Sequence, residues 1–175
     1  MEPLWYFAYG SNLCRATFVE RRGMTPLDTP RGRLDGYRLT FDLPVGPGER
    51  GVANLVADPG AVTWGACYLL DAATCDQLDR TEGVHAGYYR RLAVAIDAGA
   101  RLTAFAYHGT MTVPGRKPSA RYVGLVLDGA REHGLPAEWI RHLETLELAV
   151  DERLRHPGAA KLRRRVRRVR ESRNR

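Results

Sequence analysis

No apolar run in the sequence approaches the roughly 18 to 20 residues that a membrane-spanning helix needs. Met1-Glu2-Pro3 has no basic segment ahead of an apolar stretch, so a secretory leader is not expected and the expected location is the cytoplasm. Cysteine is scarce. Cys14, Cys67 and Cys75 are odd in number, widely separated and without a C-x-x-C pair, which speaks against both a disulfide framework and a cysteine zinc site. The five histidines, His85, His108, His133, His142 and His156, are scattered too, and no metal is expected. Familiar catalytic motifs are also missing. Gly-Pro-Gly-Glu-Arg-Gly at 46–51 lacks the Lys-Ser/Thr of a phosphate loop and reads as a turn. No G-x-S-x-G elbow exists to anchor a hydrolase triad.

What is abundant is positive charge, but it is unevenly placed. The 175 residues hold 27 Lys+Arg against 20 Asp+Glu, a formal charge of +7. Nine of the basic residues and only Glu171 lie between Lys161 and Arg175, a net of +8, leaving 18 basic and 19 acidic groups in residues 1–160. The body is therefore neutral, and the field expected of a nucleic-acid binder belongs to a tail. With 44% apolar and 27% charged residues the composition is that of a globular protein, and the length supports one domain at roughly 150 residues per domain. The expected division is a domain over 1–150 and a basic tail over 151–175, helical or disordered. Past His156-Pro157-Gly158, Leu162, Val166 and Val169 fall at helical spacing among arginines. The tail has no aromatics to stack on bases; contact with a polyanion through 161–175 and a merely solvated charge run are both open readings.

Six strands are expected at Leu4–Tyr9, Leu34–Phe41, Val52–Ala57, Thr63–Leu70, Tyr88–Ile96 and Leu102–Tyr107. Four helical patterns accompany them. Leu13–Arg22 follows the first strand, and Asp71–Glu82 opens on an acidic cap and closes at Gly83. Ser119–His133 carries Tyr122, Val123, Val126, Leu127 and Ala130 on one stripe, and Pro136 opens a fourth helix with Trp139, Ile140, Leu143 and Leu146. Consecutive strands without intervening helices favour an α+β sheet or barrel over a doubly wound sheet.

Two short stretches have chemical interest. At Tyr9-Gly10-Ser11-Asn12-Leu13 an apolar strand gives way to a helix; Ser11 or Asn12 can cap it, and freed backbone N–H groups can face an anion or an oxyanion. A plain capped turn has the same sequence. At Asp79-Arg80-Thr81-Glu82-Gly83-Val84 a carboxylate falls in the last turn of a helix, where the dipole disfavours its charge and burial would raise its pKa toward the range of a general acid or base. The alternative is a solvated Glu82 paired with Arg80 or Arg90. Cys14 reads as a small buried thiol, since no histidine partner is identifiable.

The run Tyr6-Phe7-Ala8-Tyr9-Gly10-Ser11-Asn12-Leu13 resembles the signature of the γ-glutamylcyclotransferases. Other segments resemble that family in the same order: Thr63-Trp64-Gly65-Ala66, Glu82-Gly83-Val84 with Gly87-Tyr88-Tyr89, Pro118-Ser119-Ala120-Arg121-Tyr122, and Gly129 to Pro136. The resemblance spans roughly residues 4 to 147. It implies an α+β fold built on a mixed β-barrel of about six strands with flanking helices, and an enzyme that uses no metal or cofactor. The implied reaction converts a γ-glutamyl amide into 5-oxoproline and a free amino acid or amine. By the same resemblance Glu82 is the general acid/base, while Tyr6, Phe7, Ala8, Tyr9, Gly10, Ser11 and Asn12 form the substrate-binding segment and Tyr122 contacts substrate. Tyr89 and Tyr107 match positions near the cavity, or pack the core as strand residues. The loop at 42–51 and everything after about 150 depart from the family pattern. Relatives act on γ-glutamyl amines, glutathione or γ-glutamylated natural-product intermediates, and these are alternative substrates. A non-catalytic relative that binds polyanions through its tail, and a homodimer, are further readings.

Overall fold

The computed structural model describes residues 2–150, so the expected basic tail lies outside the described residues. Six strands order as β1-β5-β4-β2-β3-β6: β1 (Leu4–Ala8), β2 (Arg31–Pro44), β3 (Arg50–Leu70), β4 (Tyr89–Asp97), β5 (Arg101–Gly109) and β6 (Lys117–Pro118). An additional β1–β3 pairing closes the first five into a barrel. β1 runs antiparallel to β3, with Tyr6 opposite Tyr68, and parallel to β5, with Tyr6 beside Phe105, so the barrel is mixed. Three helices flank it: α1 (Ala72–Glu82), α2 (Ala120–Glu132) and α3 (Ala137–Glu144). This is the expected α+β class.

Two of the expected strands are one. Val52–Ala57 and Thr63–Leu70 are both part of the 21-residue β3. The turn-forming residues between them do not reverse the chain, because β2 continues alongside. Asp35 faces Val62 and Tyr37 faces Ala57, so residues 58–61 bulge out opposite Gly36 alone. A second irregularity has direct bearing on the site. Thr40 faces Asn54 and Leu43 faces Val52, leaving two residues of β2 opposite Ala53. Such a bulge takes a backbone group out of the ladder, and Ala53 N–H donates to the Tyr122 hydroxyl at 3.2 Å instead.

The segment expected as a helix over Leu13–Arg22 is a 3-10 turn, Ser11–Leu13, followed by a π-helix, Ala16–Arg21. A π-helix carries an extra residue per turn and is common at functional sites. Here it is the element that ends at Arg22. The expected side-chain cap from Ser11 or Asn12 is absent; Gly10 occupies the cap position, and the Asn12 side chain is used elsewhere.

α1 matches its sequence signals closely. The Asp71 carboxylate accepts from Thr74 N–H at 2.7 Å, which holds its pKa below the usual value. Gly83 ends the helix at φ 70°, a left-handed conformation in which a side chain would be strained and would also press on the Tyr88 ring. Ser119 caps α2 by accepting from Tyr122 N–H. Leu146 lies beyond α3, which ends at Glu144.

The core is continuous from barrel to helices. Phe18 stacks on Tyr68 with centroids 4.2 Å apart, and Tyr6 lies 5.4 Å from Phe105 and 5.3 Å from Tyr107. These aromatic contacts tie the π-helix, β1, β3 and β5 together at the end of the barrel where the site forms. Cys14, Cys67 and Cys75 are free and buried; burial pushes the Cys67 thiol up to about 12.

Candidate active site

A cavity of about 170 Å³ opens where β1 ends, between the 3-10 turn, the C-terminus of α1 and the start of α2. Tyr6, Tyr9, Gly10, Ser11 and Asn12 reach it from the β1 end, Glu82 from α1 and Tyr122 from α2. The structure thus brings together residues separated by more than a hundred positions. Phe7 and Ala8, expected in the same binding run, do not line the cavity. Strand alternation turns Phe7 to the other face of β1, where its ring lies over Gly65, and Ala8 is fully buried with only a methyl to offer.

Glu82 is the last residue of α1 and points into the cavity with 12% of its side chain exposed. Its Oε1 accepts from Asn12 Nδ2 at 2.9 Å and from Arg22 Nη1 at 2.7 Å. Neither Arg80 nor Arg90 is the partner. Both donors converge on one oxygen, and Oε2 has no partner among the described residues. Asn12 Nδ2 also donates to the Tyr6 hydroxyl at 2.9 Å, while Asn12 Oδ1 is buried without a partner among the described residues.

The other walls are tyrosines. Tyr122 Oη receives the N–H groups of Ser11 at 3.3 Å and Ala53 at 3.2 Å, which pins it across the mouth. The Ser11 amide is therefore already engaged. Tyr9 Oη donates to the Tyr107 carbonyl. Tyr107 Oη donates to Asp79 Oδ1 at 2.6 Å, and Arg91 holds the same carboxylate through Nε at 3.0 Å while its guanidinium lies 4.2 Å from the Phe105 centroid. Burial is the main reason that the Tyr6, Tyr9, Tyr89, Tyr107 and Tyr122 hydroxyls all have pKa values raised above the usual one. They stay protonated near neutral pH and act as hydrogen-bond groups. Glu82 is the one carboxylate among the described lining residues, hence the group there that can take and return a proton.

Arg22, Tyr89 and Tyr107 join the cavity beyond the expected set. The family resemblance flagged both tyrosines; nothing local in the sequence flagged Arg22, which is sixty residues from Glu82. Among the described residues no cluster of three or more His, Cys, Asp or Glu side chains is placed to hold a metal ion.

The fold is a closed mixed barrel with flanking helices, with a single carboxylate among the described residues of a tyrosine-walled cavity, and the AIG2-like family model matches residues 62–143. The chain is 31% identical over 154 residues to γ-glutamylcyclotransferase of Bos taurus, covering 83% of this chain and 80% of that one. A solved structure of a γ-glutamyl cyclotransferase superposes with a TM-score of 0.72 at 28% identity, over 84% of this chain and 89% of that one. A structure from Homo sapiens gives 0.73 at 29% identity, over 85% and 90%. The chain belongs to the γ-glutamylcyclotransferase family, and these similarities support catalytic activity of that general type.

Proposed function

We propose that the protein cyclises γ-glutamyl amides to 5-oxoproline with Glu82 as the general acid/base. The observation that carries this reading is the asymmetry of that carboxylate: Asn12 and Arg22 hold Oε1, and Oε2 is left for the proton. The substrate's α-ammonium gives a proton to Oε2, and the amine so formed attacks the γ-carbonyl carbon, closing the five-membered ring. Collapse of the tetrahedral intermediate breaks the γ-amide C–N bond as Glu82 returns that proton to the departing nitrogen, and Oε2 then takes the second proton of the ring nitrogen and passes it to the released amine, which leaves as its ammonium. The products are 5-oxoproline and the free amine, and atoms balance without any nucleophile from the protein.

Most of the rate comes from folding the substrate into a reactive shape, since intramolecular attack reaches effective molarities of about 10⁵ to 10⁸ M. The tyrosine walls supply that fit. Tyr6, Tyr9 and Tyr122 present fixed hydroxyls, and Gly10 and Ser11 bring backbone close to the substrate. A cavity of about 170 Å³ is smaller than the roughly 300–1,000 Å³ of ordinary ligand sites and suits a glutamyl group alone.

The test is incubation of the purified protein with γ-glutamyl dipeptides while 5-oxoproline is followed. Turnover is expected, and Glu82→Gln should lower kcat by about 10² to 10⁴, the usual contribution of a general acid/base. Absence of turnover on γ-glutamyl amino acids, γ-glutamyl amines and glutathione overturns the reading; full activity in Glu82→Gln overturns the role of Glu82.

A further inference from the structure

A second cavity, of about 490 Å³, adjoins the first, and Ser11, Val52 and Tyr122 line both. Among the described residues its charged lining has one sign. Arg21, Arg50 and Arg121 face it, and among the described residues no Asp or Glu does and none of the three forms an ion pair. The three come from separate elements: the end of the π-helix, the first residue of β3 and the first turn of α2. Arg21 and Arg22 are adjacent in sequence yet line different cavities, Arg22 the inner one and Arg21 the outer. The N-terminus of the 13-residue α2 opens on the same space and adds the positive end of its dipole.

We propose that this outer cavity is the leaving-group subsite and selects leaving amines that carry a carboxylate, with Arg50 and Arg121 as the specificity-determining residues. The inference deepens the cyclisation reading and rests on it. The inner cavity has room for the glutamyl part beside Glu82, so the remainder of the substrate passes Ser11 and Tyr122 into the larger space. In a γ-glutamyl amino acid the leaving nitrogen and the carboxylate are bonded to the same carbon, which carries the negative charge just past that threshold. A guanidinium fork matches a carboxylate in two-point geometry, whereas a neutral amide or alkyl amine offers it nothing comparable. Arg50 is half-buried, with Nη2 3.5 Å from where a Cβ on Gly46 would sit, and Arg121 is exposed. They grip the anion, while Arg21, also exposed, adds to the field.

The experiment compares γ-glutamylalanine with γ-glutamylalaninamide, which differ only in that charge. In the parent protein kcat/KM for the acid should exceed that for the amide by about tenfold or more, mainly through KM, and the ratio should shrink as salt rises from about 0.05 to about 0.5 M. In Arg50→Gln/Arg121→Gln the ratio should fall to about one. In Arg50→Glu/Arg121→Glu it should invert, and because each ratio is measured within one variant, a general loss of rate does not disturb it. A parent ratio of about one, or a ratio unmoved by the variants, overturns the inference while the cyclisation reading stands. Should the variants be inactive on both compounds, a parent ratio insensitive to salt overturns it. Absence of turnover by the parent on either compound overturns the reading and the inference together.

Discussion

Replacing either member of the Arg22–Glu82 pair tests how the site is held together. Arg22 and Glu82 are 17% and 12% exposed at the side chain, dry enough that removal of one charge is not fully compensated by water. Breaking a buried pair costs about 3–5 kcal/mol, and a net hydrogen bond to a charged group is worth about 1.5–3 kcal/mol. Arg22→Met leaves the carboxylate with Asn12 as its remaining donor, which puts the expected loss near the lower end, about 3 kcal/mol. Glu82→Gln keeps an acceptor for both donors but leaves the guanidinium without its counter-charge, for a loss of about 2 kcal/mol. With both changes no unpaired charge remains, so the double variant should lose only about 3 kcal/mol, about 2 less than the singles summed. Urea denaturation of the four proteins measures these quantities, and thermal midpoints should follow at about 2–4 °C per kcal/mol for a chain of this size. If both singles lie within about 0.5 kcal/mol of the parent and add without coupling, the pair behaves like a solvated surface ion pair, and the view of Glu82 as a charge fixed in a dry wall is refuted.

Three further outcomes follow from the geometry. A Cβ on Gly10 would lie 2.8 Å from Tyr122 Oη and 3.0 Å from the Ala53 methyl, so Gly10→Ala should cost about 1–3 kcal/mol by overpacking and raise KM; in the Tyr122→Phe background the added cost should be smaller, as urea melts will show. His133 has its pKa lowered by burial, so the folded protein binds fewer protons there than the unfolded chain; stability should decline as pH falls below about 6.5, and His133→Gln should show a flatter decline in thermal melts between pH 5 and 7.5. Cys14, Cys67 and Cys75 should resist a thiol reagent at pH 8 in the native protein and react together on unfolding, since all three are buried; fast labelling of one in native buffer contradicts that packing.

What could be read from the sequence was local. Asp71 and Gly83 bracket α1 because capping chemistry acts within a few residues, and Glu82 stands one position before that stop. The run from Tyr6 to Asn12 declared a strand ending in a tight turn, and the structure turns it into cavity wall except at Phe7 and Ala8. What escaped was decided by distant partners. Asp58-Pro59-Gly60 spells a turn, but continued pairing with β2 makes it a bulge within β3. Leu13–Arg22 has helical spacing, but the chain there is a 3-10 turn followed by a π-helix, with Phe18 stacked on Tyr68. No spacing rule links Arg22 to Glu82, or assigns Arg50 and Arg121 to one cavity, because barrel closure brings them into place.

That closure also fixes when in the life of the chain the site can exist. β1 is the first strand to be synthesised, yet its partners are residues 66–70 and 104–105. At roughly 5–20 residues per second, about 5 to 20 seconds separate the making of Tyr6 from that of Phe105. Until then the segment that supplies Tyr6 and leads into Tyr9, Gly10, Ser11 and Asn12 has no parallel neighbour, and the cavity is incomplete. The cavity is complete only after the polypeptide has been extended past Tyr122, so a chain that stops before β5 lacks both the parallel neighbour of β1 and the tyrosine across the mouth.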